Sequence, residues 1–374
     1  MRRAVIVPWI LALASGCAEG LPDPDYIEHP RVLAIDGVVD EPMPDPAGTR
    51  AEALPFERVT FTPHVADPDG PYAMDDLEAL SPTAFACTLA PNQGVGGCLL
   101  GARPLDPGEI PECPIPAPED LEDLDPTNPD FAPPPSPCRL TEGSEAQPAF
   151  TVPIDPLFLL GSDVEITWVA GLTSDHDTGR CVADLLAEPG TPLSYDCLVA
   201  VRRLAVGPDS TLAALAAQLG VPIEGPPPPD PPEALDLNPR IDTIAIGISG
   251  AANAITVASG QLVEAPLGSV VEVTITVTPE SEQDYLIVAD DDGTPRYETR
   301  TERLTGDFSS TWGYIEYGDS QGLEHRNLWT LTAAEGQPAK LPGDVVHLFA
   351  VIRDDRTGAT FVHVPLRLTA APSP

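Results

Sequence analysis

A strand pattern that occurs twice constrains the fold of this chain more than any other feature. In "RVTFTPHV", which begins at Arg58, apolar and polar residues alternate, and "VEVTITVT", which begins at Val271, has the same period. Such alternation is typical of a strand with one buried face. A similar segment precedes each of the two strands: "HPRVLAI" from His29 and "NPRIDTIAI" from Asn238. The repeat predicts two related β units, and a chain of 374 residues is long enough for both.

The end of each unit repeats as well. Residues 160–179 and 341–358 both contain a turn, a strand-like run and an acidic turn that closes in "TG". The second unit then continues directly into another strand-like run at Ala359, whereas the first unit reaches its equivalent, at Leu198, only after the insertion 182–197. The pattern predicts that this insertion is a loop added to a hairpin of the first unit.

The cysteines predict a disulfide framework. The chain has 7 cysteines, and setting Cys17 aside leaves an even number, which suits an oxidising compartment. Cys181 precedes the insertion and Cys197 ends it, so we expect these two to be bonded. For Cys87, Cys98, Cys113 and Cys138 a metal site is the rival to disulfides, but neither a CxxC motif nor a nearby Cys/His cluster supports it. For the other cysteines, nearest-neighbour pairing is one of the connectivities that remain open, and it joins Cys87 to Cys98 and Cys113 to Cys138.

Proline-rich stretches are expected to be coil. The chain has 47 prolines and only 5% aromatic residues, and residues 114–137, within the first unit, show no hydrophobic period. Between the units, "DSTLAALAAQLG" predicts a short helix that Asp209 or Ser210 caps and Gly220 ends. The proline-rich stretch that follows is expected to act as a stiff spacer.

The amino terminus has the layout of a secretory signal. Arginines precede an apolar run at 4–14, which is too short to span a bilayer and is followed by small residues. The segment "ASGC" then resembles the lipobox of bacterial lipoproteins. Gly16 and Cys17 match that motif, whereas Ala14 stands where leucine is usual.

The lipobox resemblance implies a membrane anchor. The signal peptide, residues 1–16, would be removed, lipid would be attached to Cys17, and residues 17–30 would form a lipidated tether. Ala18 stands where an aspartate would signal retention in the inner membrane, so the resemblance implies an outer-membrane protein that faces the periplasm or the cell surface. The alternative is an ordinary signal peptide whose Cys17 forms a disulfide.

Several structural motifs resemble bacterial envelope lipoproteins with immunoglobulin-like or PKD-like β-sandwich domains. They are the lipobox, the paired "PR" openings, the "DPDG" turn at 67–70 and the closing "VHLFAVIRDDRTG". With the strand pattern, they imply an all-β fold of two immunoglobulin-like antiparallel β-sandwich domains, with a short interdomain helix and long coil insertions in the first. The expected ranges are 31–207 for the first domain, 208–237 for the helix and linker, and 238–371 for the second domain.

The charge of the chain excludes one class of partner. With 19 Lys and Arg residues against 58 Asp and Glu residues, the net charge is −39. Phosphate binding needs a basic face, so we expect no nucleic-acid partner and contact with the membrane only through the lipid. The expected partner is an unknown envelope protein or polysaccharide, and contact with it is expected at residues 70–160 and 182–197, where the first unit differs from the second.

The sequence contains no recognisable catalytic motif. It has no GxSxG elbow, no HExxH motif and no phosphate-binding glycine loop, so we expect no enzyme activity and no cofactor. His347 and His363 are placed to face one another across the last hairpin. A zinc pair is the alternative, but solvated strand histidines are the preferred interpretation because two ligands are too few for a zinc site without carboxylates.

Acidic turns are the remaining candidate site. Their carboxylates suit Ca²⁺, although none fits the EF-hand pattern, and aspartate is also an ordinary turn former. We therefore expect a structural or protein-interaction module of the envelope. The alternative is a sugar- or peptide-binding receptor, assisted by calcium. The candidate residues are Asp67, Asp69, Asp175, Asp177, residues 290–292, Asp354 and Asp355.

Overall fold

The structure, a computed structural model, leaves out parts of the chain. The predicted signal peptide, Cys17, Cys98, most of the coil 114–137 and residues 290–292 lie outside the described residues. The described ranges are 25–42, 48–89, 94, 96–97, 99–101, 103–116, 135–188, 191–229, 235–251, 253–289 and 294–371.

Strands dominate the described chain, so the predicted all-β fold is confirmed. No helix in these ranges is long and apolar enough to cross a membrane. The helices are α1 (Met74–Ala79), α2 (Thr178–Leu186) and α3 (Ser210–Leu219). The strands of the first unit (31–207) are β1 (Arg31–Val39), β2 (Arg58–Asp67), β3 (Gly70–Pro71), β4 (Thr83–Thr88), β5 (Cys138–Arg139), β6 (Glu142–Gly143), β7 (Pro148–Thr151), β8 (Val164–Gly171) and β9 (Cys197–Leu204). The strands of the second unit (238–371) are β10 (Ile241–Ile248), β11 (Ile255–Val257), β12 (Val263–Pro266), β13 (Val270–Val277), β14 (Asp284–Ala289), β15 (Arg296–Thr301), β16 (Thr305–Ser310), β17 (Tyr314–Ile315), β18 (Asp319–Gln321), β19 (Glu324–Thr330), β20 (Val345–Arg353) and β21 (Ala359–Thr369).

Two antiparallel sheets enclose the core of the first unit. One has the strand order β1–β2–β7–β6, with β3 beside β2, and the other has the order β5–β4–β8–β9. Trp168 of β8 is buried in this core together with residues of β2. On β2, Val59, Phe61 and Val65 are buried while the polar residues between them are half-buried, as the alternation predicts.

The second unit repeats this arrangement. Its sheets have the orders β11–β10–β13–β19–β17 and β12–β21–β20–β16–β18, and Trp329 and Phe308 lie in the core. β10 pairs antiparallel with β13 as β1 pairs with β2, and β20 pairs with β21 as β8 pairs with β9. The repeat predicted from the sequence is therefore present as matching strand pairs. The immunoglobulin-like topology of each unit stays a prediction.

One disulfide of the first unit lies at the base of the insertion 182–197, and another joins the two ends of the proline-rich stretch 114–137. Cys197 lies opposite Gly171 at the end of the β8–β9 ladder, so its bond to Cys181 closes the insertion at its base. Cys87 is also disulfide-bonded, and Cys98, its predicted partner, lies outside the described residues. The bonds that the structure describes match the predicted pairs, Cys113–Cys138 and Cys181–Cys197.

The insertion 182–197 begins as a helix, so the prediction of a simple loop was wrong. Asp177 caps α2 by accepting a hydrogen bond from the Arg180 backbone N–H (2.8 Å). The apolar residues of α2 recur at helical spacing and cover Val169 on the outer face of β8. The buried residues of this helix are Cys181, Val182, Leu185 and Leu186.

The helix predicted between the units belongs to the first unit. Asp209 caps α3 through the Leu212 backbone N–H (2.8 Å), and Gly220, with φ of 66°, ends it as predicted. Leu212 and Leu215 are buried in the first core instead of bridging two domains. The segment 208–237 is therefore only in part a linker.

The amino-terminal segment packs against the second unit, and this corrects the predicted tether 17–30. The Ile27 backbone N–H donates to the Ser310 carbonyl (2.9 Å), and the Ser310 N–H donates to the Asp25 carbonyl (2.8 Å). Ile27 is fully buried beside Phe349. Removal of its apolar side chain from water stabilises this contact. Residues 25–27 therefore belong to the folded body and not to a free tether.

Candidate functional site

The two units meet at an interface that we call the junction, where β1 and β9 face β21 and the turn 354–358. The run 346–352 of β20 is buried throughout. Alternate residues of β20 fill the second core, while His347, Phe349 and Val351 face the first unit. A continuous apolar run of this kind is typical of a strand that is covered on both faces.

Buried polar side chains cross the junction. Arg202 of β9 donates a hydrogen bond to the Thr357 carbonyl (2.6 Å). Asn238 donates to the Gly37 carbonyl (3.0 Å) and accepts from the Ala359 N–H (2.9 Å). Separating the units would leave these buried groups without partners, so the hydrogen bonds hold the units in one relative position.

Three carboxylates gather inside the junction. Asp236, Glu302 and Asp354 each present an oxygen, and these oxygens all lie within 4.8 Å of one another. Their side chains are 0%, 3% and 8% exposed, respectively. We call these residues the carboxylate cluster. Asp236 comes from the segment between the units, Glu302 follows β15, and Asp354 follows β20.

The turn 354–358 fixes the position of Asp354. Its Oδ1 accepts hydrogen bonds from the backbone N–H groups of Arg356 (3.0 Å), Thr357 (2.7 Å) and Gly358 (2.7 Å). A Cβ on Gly358 would lie 2.0 Å from Asp354 Oδ2, so only glycine allows this approach. The second oxygen of Asp354, Oδ2, accepts none of these three hydrogen bonds.

Gln283 lies against the other two carboxylates. Its side-chain amide is 3.4 Å from both Asp236 Oδ1 and Glu302 Oε1, and its backbone carbonyl accepts from the Glu302 N–H (3.0 Å). These side-chain contacts are long for hydrogen bonds. They orient the carboxyl groups and contribute little charge compensation.

Burial makes ionisation of the cluster unfavourable. Burial first, and then the negative charge of Asp354, raise the pKa of Asp236 well above its ordinary value. Burial also raises the pKa of Glu302 to about 7, although its hydrogen bond with Asp236 acts in the opposite direction. The pKa of Asp354 is raised by burial too, against the effect of the three N–H donors.

A buried ion pair lies next to the cluster. Arg356 donates to Glu52, whose side chain is 0% exposed, and the guanidinium carbon is 5.2 Å from the centre of the Tyr285 ring. Glu52 Oε2 also accepts from the Asp236 backbone N–H (3.0 Å). Since Glu52 belongs to the first unit and Arg356 to the second, this pair also joins the units.

A cavity of ≈ 370 Å³ opens beside the junction. It lies between β1, β9 and the turn 354–358, and Arg202, Arg353 and Asp354 are among its polar lining. Asp354 is the member of the carboxylate cluster that borders this cavity. The described residues that line it include no aromatic side chain.

A histidine pair lies at another part of the junction. His347 Nδ1 is 2.9 Å from His363 Nε2, so the two residues do face one another. His347 is only 8% exposed and packs over Gly70 of the first unit, so the interpretation as a solvated strand histidine was wrong for His347, whereas His363 is half-buried. Burial lowers the pKa of His347, and burial together with His347 lowers the pKa of His363 to about 4.

This histidine pair predicts a loss of stability in acid. Unfolded histidine takes up a proton below about pH 6.5, whereas folded His363 stays neutral down to about pH 4. The stability of the wild type relative to a His363→Gln variant should therefore fall as the pH decreases through this window. The groups that face His347 are the Asp69 carbonyl, which accepts its hydrogen bond, and the charged side chains of Lys340, Asp67 and Asp69.

Urea unfolding at several pH values measures this difference. The carboxylate cluster, whose pKa values are raised, changes the stability with pH in the opposite direction. Its contribution is the same in the wild type and in His363→Gln, so it cancels in the difference between them. His29→Gln, which removes an exposed histidine, should keep the wild-type pH dependence. A constant difference between wild type and His363→Gln across the window would contradict the prediction.

The acidic turns singled out in the sequence have different roles. Asp67 accepts from the Asp69 N–H (2.8 Å) inside its own turn, and Asp177 caps α2. Asp175 and Asp355 are exposed. These are the turn and cap roles that the sequence left open beside calcium binding. Among the candidates that the structure describes, Asp354 alone joins the carboxylate cluster.

Sequence reasoning missed Asp236 and Glu302. Asp236 lies at the end of a proline-rich stretch, and Glu302 follows a largely exposed strand. Neither has a spacing that relates it to Asp354. No protein-family model matches this chain, and no curated protein matches it. The function is therefore inferred from the residues and contacts themselves.

Proposed function

We propose that this chain is a lipid-anchored lipoprotein of the bacterial outer membrane that acts as a structural and protein-interaction module. In this proposal two immunoglobulin-like units form one rigid, non-catalytic body. The observation that carries it is the junction, where buried groups such as Arg202 and Asn238 bind across the two units. A body of this kind suits a protein that holds a partner at a fixed place.

The cavity beside the junction does not itself favour a receptor or an enzyme. Sugar and peptide sites are usually lined by aromatic and apolar groups that converge with a few polar ones, and the described lining here has no aromatic side chain. Asp236 and Glu302 do not border this cavity, so a substrate inside it would meet only Asp354 of the carboxylate cluster. Acid–base catalysis needs groups within reach of the substrate.

The lipid anchor predicts a labelling result. Growth with a labelled fatty acid should tag the protein, and Cys17→Ser should abolish the tag and leave the precursor uncleaved, because the lipid is attached to the Cys17 sulfur. Gel fluorography and the mass of the mature protein measure both effects. An untagged mature protein that begins at another residue would contradict the anchor.

The interaction role predicts an asymmetric crosslinking result. Tyr195, 75% exposed in the insertion, and Tyr314, 55% exposed in the second unit, are matched sites for a photo-reactive phenylalanine. In cells, the probe at position 195 should form an adduct with an envelope partner, and the probe at 314 should not, because the insertion distinguishes the first unit. An adduct from position 314 alone would overturn the assignment, and no adduct at either site would contradict the interaction role.

A further inference from the structure

The arginines of the junction form no ion pair with the buried carboxylate cluster. Within the described part of the chain, none of the three cluster carboxylates takes part in an ion pair. Arg356 is paired with Glu52, and Arg202 donates to backbone carbonyls. Buried carboxylates that stay charged need a cation, since removal from water strongly disfavours an isolated charge.

Two buried carboxylate oxygens of the cluster lack a hydrogen-bond donor. Asp236 Oδ2 and Asp354 Oδ2 are both buried and have no hydrogen-bond donor among the described residues, apart from a proton that the Asp236 and Glu302 carboxyl groups would share. Asp236 is 0% exposed, so bulk solvent does not reach its free oxygen. On Asp354, Oδ1 holds all three turn N–H groups, which leaves Oδ2 available for a ligand. An unpartnered buried oxygen calls for a ligand because polar groups in protein interiors are normally satisfied.

We propose that Asp236, Glu302 and Asp354 bind a calcium ion inside the junction. All the ligands are carboxylate oxygens, which hard cations prefer, and the cluster contains no histidine or cysteine that would favour zinc or copper. Calcium accepts irregular oxygen sets, whereas Mg²⁺ requires near-octahedral geometry and retains several waters. Asp354 borders the cavity beside β1 and β9, and this gives the ion a route from solvent.

The ion has a structural role in this proposal. Asp236 follows the proline-rich segment, and its backbone carbonyl accepts hydrogen bonds from the N–H groups of Ala51 (3.0 Å) and Glu52 (3.3 Å) in the first unit. Glu302 and Asp354 belong to the second unit. One ion would therefore tie the segment between the units to the second unit, and its loss would loosen the junction. The site does not depend on the lipid anchor, so it can be tested independently of the proposed function.

Calorimetric titration of the purified, chelator-treated full chain with CaCl2 at constant ionic strength tests the site. We expect one Ca²⁺ per chain, with a dissociation constant on the order of 10⁻⁴–10⁻³ M, as in extracellular calcium modules. The melting temperature should rise with calcium and fall again with EDTA. MgCl2 at the same concentration should produce a smaller rise.

Asp236→Asn and Asp355→Asn form a matched pair of variants. Each removes one negative charge, but Asp355 is exposed and lies outside the cluster. Asp236→Asn should weaken calcium binding about tenfold or more, and Asp355→Asn should bind like the wild type. Without calcium, Asp236→Asn should melt above the wild type because it relieves repulsion, and with calcium this order should reverse.

Clear results would overturn the proposal. If the wild type shows neither binding heat nor a rise in melting temperature with calcium, the cluster is neutralised by protons, one of which Asp236 and Glu302 would share. If Asp355→Asn loses as much affinity as Asp236→Asn, calcium binds the exposed turn. If MgCl2 matches CaCl2, the site is not selective for calcium.

Discussion

Arg356→Met is expected to lower the free energy of unfolding by about 3–5 kcal/mol, the usual effect of breaking a buried ion pair. Glu52 is 0% exposed, and its charge would lose its guanidinium partner while Asp163 and Asp236 remain nearby. Methionine keeps an apolar stem over the Tyr285 ring, so the loss of charge is separated from a loss of packing. Urea unfolding followed by circular dichroism measures the change.

Arg326→Met is the matched control for this prediction. Arg326 pairs with Glu272 at 2.8 Å on the surface, with side chains 59% and 41% exposed, so its loss should change stability by only about 0–1 kcal/mol. A double variant, Arg356→Met with Glu52→Met, should recover much of the stability, because an apolar pair replaces a buried charge. Equal small effects of Arg356→Met and Arg326→Met would show that Glu52 does not need its partner.

Local patterns predicted the parts of the fold that depend on one strand or one hairpin. The alternation at Val59, Phe61 and Val65 places one face of β2 in the core, and the same period places β13 in the second core. Cys181 and Cys197 bracket an insertion between strands that pair, so their disulfide follows from the repeat. In each case the interacting residues lie on neighbouring elements of one hairpin or one sheet.

The helix α2 was missed although its signals are in the sequence. Asp177 stands at the N-cap, and Cys181, Val182 and Leu185 recur at a spacing of one and then three residues, which is helical periodicity. The repeat predicts the strands on either side, but the second unit has no counterpart of the insertion, so the repeat gives no information on the structure inside it. A search for helical periodicity within the insertion would have found the helix.

The carboxylate cluster was beyond any local pattern. The sequence marks Asp354 as a turn residue. Asp236 and Glu302 lie near it only because segments that are distant in the sequence meet at the junction. The sequence feature that indicates the junction is the run 346–352. Its residues do not alternate between apolar and polar, because both faces of β20 are covered. That run predicts a second covered face, but it does not tell which residues cover it.

The junction also predicts that a destabilising substitution in one core lowers the stability of the other unit. Trp329→Ala removes a fully buried side chain from the second core and should lower the free energy of unfolding by about 3–5 kcal/mol. In a Trp312→Phe background expressed from residue 17 onward, Trp329→Ala leaves Trp168 as the sole tryptophan, which reports on the first core. Because buried hydrogen bonds and the Glu52–Arg356 pair join the units, the fluorescence transition of Trp168 should move to lower urea together with the circular dichroism transition. Trp312→Phe alone, which retains Trp168 and Trp329, is the reference, and its circular dichroism midpoint is the one compared. A Trp168 transition that stays at the reference midpoint while circular dichroism shows an earlier second step would mean that the units unfold separately.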